Sequence, residues 1–181
     1  MTLATATIMV YGSKSAEQAF DEVALLYREV YAEPPYCEGE SDFQDFVTSL
    51  PRRAAQPNFR LVVAHESGTT VGFAFGHQLS PETRWWDRTL SPLEKDVTTE
   101  YTGRTFAVIE LAVRQGYRRF GFGRNLHAHL IAGLDEERVT LLVRPDATAA
   151  QAAYRTWGYR PVGQIQPFPD GPVYDSMIKA L

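Results

Sequence analysis

Residues Phe106–Leu134 read FAVIELAVRQGYRRFGFGRNLHAHLIAGL and fall into three parts. Phe106–Val113 is an apolar run rich in Val, Ile and Leu, which predicts a strand. Arg114–Gly123 is a short, basic connection that contains glycine. Leu126, Leu130 and Leu134 follow at four-residue spacing and predict one face of a helix. Strand, glycine loop and helix in that order aim several backbone N–H groups and the positive end of a helix at one spot. Such a spot suits a phosphate.

The loop reads Arg118-Arg119-Phe120-Gly121-Phe122-Gly123, followed by Arg124. Glycine lets backbone approach a ligand closely, and arginine supplies paired donors for phosphate oxygens. Gly121-Phe122-Gly123 also begins a dinucleotide fingerprint. That fingerprint needs Gly or Ala where Leu126 stands, and an acidic residue at the end of a following strand, which is missing here. A nucleotide-dependent oxidoreductase therefore fails on the glycine pattern. R-x-x-G-x-G after a strand ending in Val resembles instead the pyrophosphate-binding signature of the GNAT acetyltransferases, which hold coenzyme A. A tight strand-to-helix turn with no ligand is the plain structural alternative.

Length and composition agree with one soluble globular domain over 1–181. A chain of 181 residues can bury roughly 70% of its unfolded surface. Apolar residues make up 44% and charged residues 22%, both ordinary values. The net charge of −4 is the wrong sign for a typical nucleic-acid binder, so the loop arginines are a local feature and no nucleic-acid partner is expected. Cys37 is the only cysteine, which removes an intrachain disulfide and a cysteine metal site. His127 and His129 sit two apart on a predicted helix and face different ways, as surface residues, so no metal is expected. The sequence shows no membrane-length apolar run and no leader pattern, and a cytoplasmic location is the expectation.

The elements can be placed in order. Thr5–Tyr11 predicts a strand. Ser15-Ala16-Glu17-Gln18 has capping-box spacing and opens a helix marked by Phe20, Val23, Tyr27 and Val30. Ser41-Asp42-Phe43-Gln44 predicts a second box and a helix ended by Pro51. Leu61–Ala64 and Val71–His77 form a hairpin. Gln78–Gly103 is too long for a plain connection; Ser91-Pro92-Leu93-Glu94 predicts a short helix there, to about Glu100. After Phe106–Leu134, Val139–Val143 predicts a strand. Asp146 or Thr148 is placed to cap a helix that Gly158 ends. Tyr159–Gln166 and Val173–Lys179 are the last two strands.

This order is the GNAT order, and Tyr154-Arg155-Thr156-Trp157-Gly158-Tyr159 resembles a second family element, Y-x-x-x-G-F/Y. Ala147 stands where many members carry an asparagine that touches coenzyme A, so that contact is expected to be absent or taken over by Thr148 or Asp146. The resemblance implies an α+β GNAT fold, with a mixed, mostly antiparallel sheet of about seven strands and four flanking helices. It implies an enzyme that moves an acetyl group from acetyl-CoA to a primary amine, on a small molecule or peptide, by direct attack in a ternary complex. The alternative is a non-catalytic acyl-CoA-binding sensor or assembly module. A homodimer is compatible with either.

The resemblance also assigns residues. Backbone groups of Leu111, Ala112 and Val113 hold pantetheine and can hold the oxyanion. Arg118, Arg119, Phe120, Gly121, Phe122, Gly123 and Arg124 cradle the pyrophosphate. Tyr154 matches the general acid. Glu110 matches a glutamate that often serves as base; it is also the odd residue in an apolar strand, where an acid carries a desolvation cost unless it reaches water or a partner. Trp85 and Trp86 are expected at the acceptor. Adjacent residues of an extended stretch face opposite ways, so at most one enters the core. An indole face could hold a cationic amine, with Glu82 and Asp87 adding charge.

Overall fold

The computed structural model describes residues 6–181. Its strands are β1 Ala6–Gly12, β2 Arg60–Glu66, β3 Thr69–Gln78, β4 Thr105–Val113, β5 Arg138–Val143, β6 Arg160–Ile165 and β7 Tyr174–Ala180. Its α-helices are α1 Phe20–Tyr31, α2 Glu40–Ala54, α3 Lys95–Thr98, α4 Phe122–Ile131 and α5 Thr148–Thr156. The strands form one mixed sheet in the order β1-β2-β3-β4-β5-β7-β6. β4 and β5 run parallel, while β1–β2, β2–β3, β5–β7 and β6–β7 are antiparallel. Fold class and element order match the expectation from the sequence. The predicted first strand includes Thr5, which lies outside the described residues.

Several local expectations are corrected. Ser15 does not cap forward; its hydroxyl turns back onto Gly12, and a 3₁₀ turn over Ala16–Ala19 precedes α1. α2 begins before Ser41, because the Asp42 carboxylate accepts the Gly39 N–H at 2.9 Å. Pro51 does not end α2. One lost hydrogen bond near the helix end is outweighed by the burial of Leu50 and Ala54 on one face. The helix predicted to reach Glu100 is only Lys95–Thr98, opened by Glu94. Leu134 falls beyond α4, which stops at Ile131 as Gly133 takes a φ of 63°. Neither Asp146 nor Thr148 caps α5: Ala147 is the cap residue, and Arg144 takes the Asp146 carboxylate at 2.9 and 2.6 Å. Gly158 does follow the helix end with a φ of 95°. His127, expected on the surface, is 3% exposed.

The chain divides into two compact units, Met1–His77 with Glu110–Ala132, and Gln78–Ile109 with Gly133–Leu181. In the first, Phe46, Phe73, Phe75, Leu61, Leu126 and Leu130 are buried. Arg60 closes the C-terminal end of α4 by donating to the carbonyls of Leu130 and Ala132 at 3.0 and 2.6 Å, where a cation also suits the helix dipole. In the second, Phe106, Val139, Leu141 and Met177 form the buried centre of the strands. Trp86, Val97, Ile165 and Ile178 form a further cluster. No helix among the described residues is long and apolar enough to cross a membrane.

Candidate functional site

The end of β4 and the turn into α4 lie in the first unit. The β4–β5 ladder pairs Thr105–Val108 with Arg138–Leu141, and β4 continues past it to Val113. Of the expected pantetheine residues, Ala112 and Val113 are buried and Leu111 is half-buried, so any ligand contact there falls to the backbone. Gly72 fixes this segment. A Cβ on it would meet Leu126 Cδ1 at 2.8 Å and the Ala112 carbonyl at 3.0 Å.

After Val113 the chain makes a 3₁₀ turn over Gln115–Tyr117, extends at Arg118, and turns left-handed at Arg119 (φ 67°) and Gly121 (φ 89°). Gly121 is the cap residue of α4, and the first in-helix bond runs from Asn125 N–H to the Gly121 carbonyl at 3.0 Å. The N–H groups of Phe122, Gly123 and Arg124 precede it and have no carbonyl of the helix to donate to. Phe122 is therefore the first residue of the helix; its ring is buried at 1% exposure, edge-on to Tyr117. Arg119, Phe120 and Arg124 are exposed. Arg118 is committed within the protein: Nε donates to the Val113 carbonyl at 2.9 Å, and the guanidinium pairs with Glu33 at 2.8 Å. It ties the loop to the strand end.

Glu110 belongs to the same unit and receives a hydrogen bond from the Tyr31 hydroxyl at 2.5 Å. Burial raises its carboxyl from the ordinary 4.5 to about 7, against the lowering effects of the Tyr31 hydroxyl and Arg53, with Glu38 adding to the rise. The residue keeps partial exposure, so its cost is that of a crowded carboxyl with some access to water. A carboxyl that titrates near neutrality can take and return a proton at working pH. Tyr31 is held well above the usual tyrosine range, by burial first and then by Glu110. Phe46, Tyr27 and Tyr31 stack in series at 3.6 and 4.3 Å between centroids, and Tyr36 tilts against Tyr31 at 4.8 Å. Beside this stack lies a cavity of about 220 Å³, lined by Tyr27, Tyr31, Glu38, Glu40 and Phe43 among others.

Tyr154, Trp85 and Trp86 lie in the second unit. Tyr154 is 9% exposed, edge-on to Trp157 at 5.5 Å and to Tyr159 at 5.7 Å. Trp86 is the tryptophan that enters the core. It is 7% exposed, its indole N–H donates to Glu100 at 2.9 Å, and Arg138 lies over its ring at 5.7 Å. Packing, the Glu100 hydrogen bond and the Arg138 contact occupy its ring. Trp85 is half-buried against the same cluster, with its indole nitrogen buried and unbonded. Asp87 is held by Arg84 at 2.9 Å.

The sequence reading missed Tyr31 and the tyrosine cavity. Tyr27 and Tyr31 stand four apart in α1, a spacing that normally marks core, and nothing local points them at Glu110. Among the described residues, no group of three His, Cys, Asp or Glu side chains is placed to hold a metal.

Comparisons with known proteins agree on the family. The sequence model described as "Acetyltransferase (GNAT) family" matches residues 21–159. No curated protein matches the chain by sequence. Solved structures with the same fold include an acetyltransferase from Streptococcus agalactiae, at 14% identity and a TM-score of 0.67, covering 99% of this chain and 100% of that one. Another is the ribosomal-protein-S18-alanine N-acetyltransferase of Escherichia coli, at 18% identity and a TM-score of 0.63, covering 97% and 93%. A spermidine N-acetyltransferase chimera from Vibrio cholerae matches at 13% identity and a TM-score of 0.61, covering 98% and 96%. With the family match spanning most of its length, this chain belongs to the GNAT family of acetyltransferases.

Proposed function

We propose that the chain, acting as one domain over 1–181, transfers an acetyl group from acetyl-CoA to a primary amine by direct attack in a ternary complex. The observation that carries this reading is the turn into α4. There the unclaimed N–H groups of Phe122, Gly123 and Arg124 start a helix beside the exposed Arg119 and Arg124. Backbone donors, a helix dipole and free guanidinium groups together fit a pyrophosphate. Arg118 holds the turn in shape through Val113 and Glu33. The backbone of Leu111–Val113 is assigned to pantetheine and the oxyanion.

The remaining residues move protons. An ammonium cannot attack a carbonyl, because its lone pair is bound to a proton. Glu110 accepts that proton, directly or through water. The freed nitrogen bonds to the acetyl carbon, the carbon–sulfur bond breaks with its electron pair on sulfur, and the second proton of the nitrogen passes through water to the thiolate, leaving a neutral amide and free coenzyme A. Tyr154 donates a hydrogen bond to that thiolate. A thiol near pKa 8.5 and a tyrosine near 10 make full transfer uphill by roughly 2 kcal/mol, so the hydrogen bond is its main contribution.

Calorimetry with acetyl-CoA tests the assignment. Gly123→Val and Arg124→Ala should each weaken binding about tenfold or more while the fold is retained. Unchanged affinity in both would remove the pyrophosphate site from this turn.

A further inference from the structure

We propose that the cavity beside Tyr27 and Tyr31 is the acceptor pocket, and that its acceptor is a short aliphatic diamine held by its unreacting ammonium. This rests on the acetyltransferase reading and names the substrate class for it. The wall consists of Tyr27, Arg28, Tyr31, Glu38, Glu40 and Phe43, with Ala32 and Gly39.

The argument is an inventory of donors and acceptors. The Tyr27 hydroxyl donates to Glu38, and the Tyr31 hydroxyl donates to Glu110. With both protons spent, the phenol oxygens offer only lone pairs. An ionised carboxylate likewise offers only lone pairs, about four sites each. Arg28 is the one cation in the wall, and it is engaged with Glu40 at 2.6 Å and lies over Phe43 at 5.0 Å. The wall thus accepts hydrogen bonds and is net negative, which suits an ammonium with its three donors. An anionic or carboxyl-bearing acceptor would meet like charge.

Size and direction narrow the class. At about 30 Å³ per water-sized group, a cavity of about 220 Å³ holds a chain of roughly seven non-hydrogen atoms, the length of a four- or five-carbon diamine. Tyr31 links the two ends of the task. Its ring lines the cavity, and its hydroxyl reaches Glu110, the base assigned to the reacting nitrogen. The exposed Arg28–Glu40 pair is of the kind that contributes little to stability, so an incoming ammonium can replace Arg28 on Glu40.

The test is calorimetry on the full chain with 1,4-diaminobutane and n-butylamine, each with acetyl-CoA titrated separately. The diamine should bind at least tenfold more tightly than the monoamine. Glu38→Gln, which keeps an acceptor for Tyr27, should erase most of that preference and leave acetyl-CoA affinity unchanged. Arg28→Ala removes the competing cation and should tighten diamine binding several-fold, which a purely structural cluster would not do. Equal affinity for the two amines, or a preference that survives Glu38→Gln, overturns the assignment while acetyl-CoA binding still upholds the family reading. Bound diamine that is never acetylated overturns its role as acceptor, and a chain that fails to bind acetyl-CoA overturns the reading beneath both.

Discussion

Glu110 is a carboxyl that folding makes harder to ionise, and the sign of its pH effects follows from that. Its folded value of about 7 lies above the ordinary 4.5. The group therefore adds stability that is complete below about pH 4.5 and is lost as pH rises through about 7. Glu110→Gln should flatten the stability profile across that window. Near pH 8 the variant should be the more stable protein, by at most roughly 3 kcal/mol given the partial exposure. Denaturant titrations at a series of pH values read this directly. In kcat/KM the same group should give an ascending limb centred near pH 7. The Tyr31 hydrogen bond lowers the Glu110 value, so Tyr31→Phe should move that limb to higher pH. A limb that stays put would detach Glu110 from the proton transfer. Tyr154→Phe keeps the ring packed on Trp157 and Tyr159. Its kcat should fall on the order of 10²-fold with acetyl-CoA affinity retained; a kcat within about twofold would leave Tyr154 a packing residue.

In the turn into α4, residues proposed to hold the pyrophosphate are distinct from residues that hold the turn itself. Arg118 is bonded to the Val113 carbonyl and to Glu33. Arg118→Ala should both weaken acetyl-CoA and lower thermal stability, whereas Arg124→Ala should weaken acetyl-CoA with stability within about 0.5 kcal/mol of the parent. Comparing the two by calorimetry and thermal melts tests the division. Gly72 serves the same element from β3. The space for its Cβ is taken by Leu126 and the Ala112 carbonyl, and a backbone atom cannot swing aside as a side-chain tip can. Gly72→Ala should cost about 1–3 kcal/mol and displace the β4 backbone that is assigned to pantetheine.

Across longer stretches of chain, residues 78–103 are anchored rather than loose. Leu79 N–H donates to Thr105, Thr89 bridges Ile165, and Trp86 sits in the cluster with Val97, Ile165 and Ile178. A buried ion pair secures the segment: Glu100 meets Arg138 at 2.9 Å, with side chains 2% and 9% exposed. Thr105 donates to the same Glu100 oxygen at 3.0 Å. Removing one partner leaves a buried charge, so Glu100→Ala should cost about 3–5 kcal/mol in denaturant unfolding. Trp86→Ala should cost a similar amount through the cavity it leaves. Trp85 packs on the same cluster and does not line the cavity beside Tyr27 and Tyr31, so Trp85→Ala should lower thermal stability and leave KM for the amine unchanged; a raised amine KM with KM for acetyl-CoA held would return it to the acceptor.

The strands, the order of elements and the turn into α4 were legible in the sequence because each is a local pattern. Alternation, four-residue spacing and glycine at a left-handed position act through neighbours a few residues apart. Two element ends differ from local expectation for different reasons: α2 runs through Pro51 because Leu50 and Ala54 pack, whereas α4 stops short of Leu134 because the left-handed Gly133 turns the chain after only two of the three spaced leucines. The tryptophan pair was legible only as at most one inside, because local pattern cannot say whether either enters the core, or which. Glu110 was legible as an anomaly, an acid in an apolar strand, yet its partner was not. Tyr31 lies 79 residues away and carries the spacing of an ordinary core residue. The contact, the raised carboxyl and the acceptor-rich cavity exist only once α1 is laid against β4, because desolvation and hydrogen bonding depend on what surrounds a group in space and not on what precedes it in the chain.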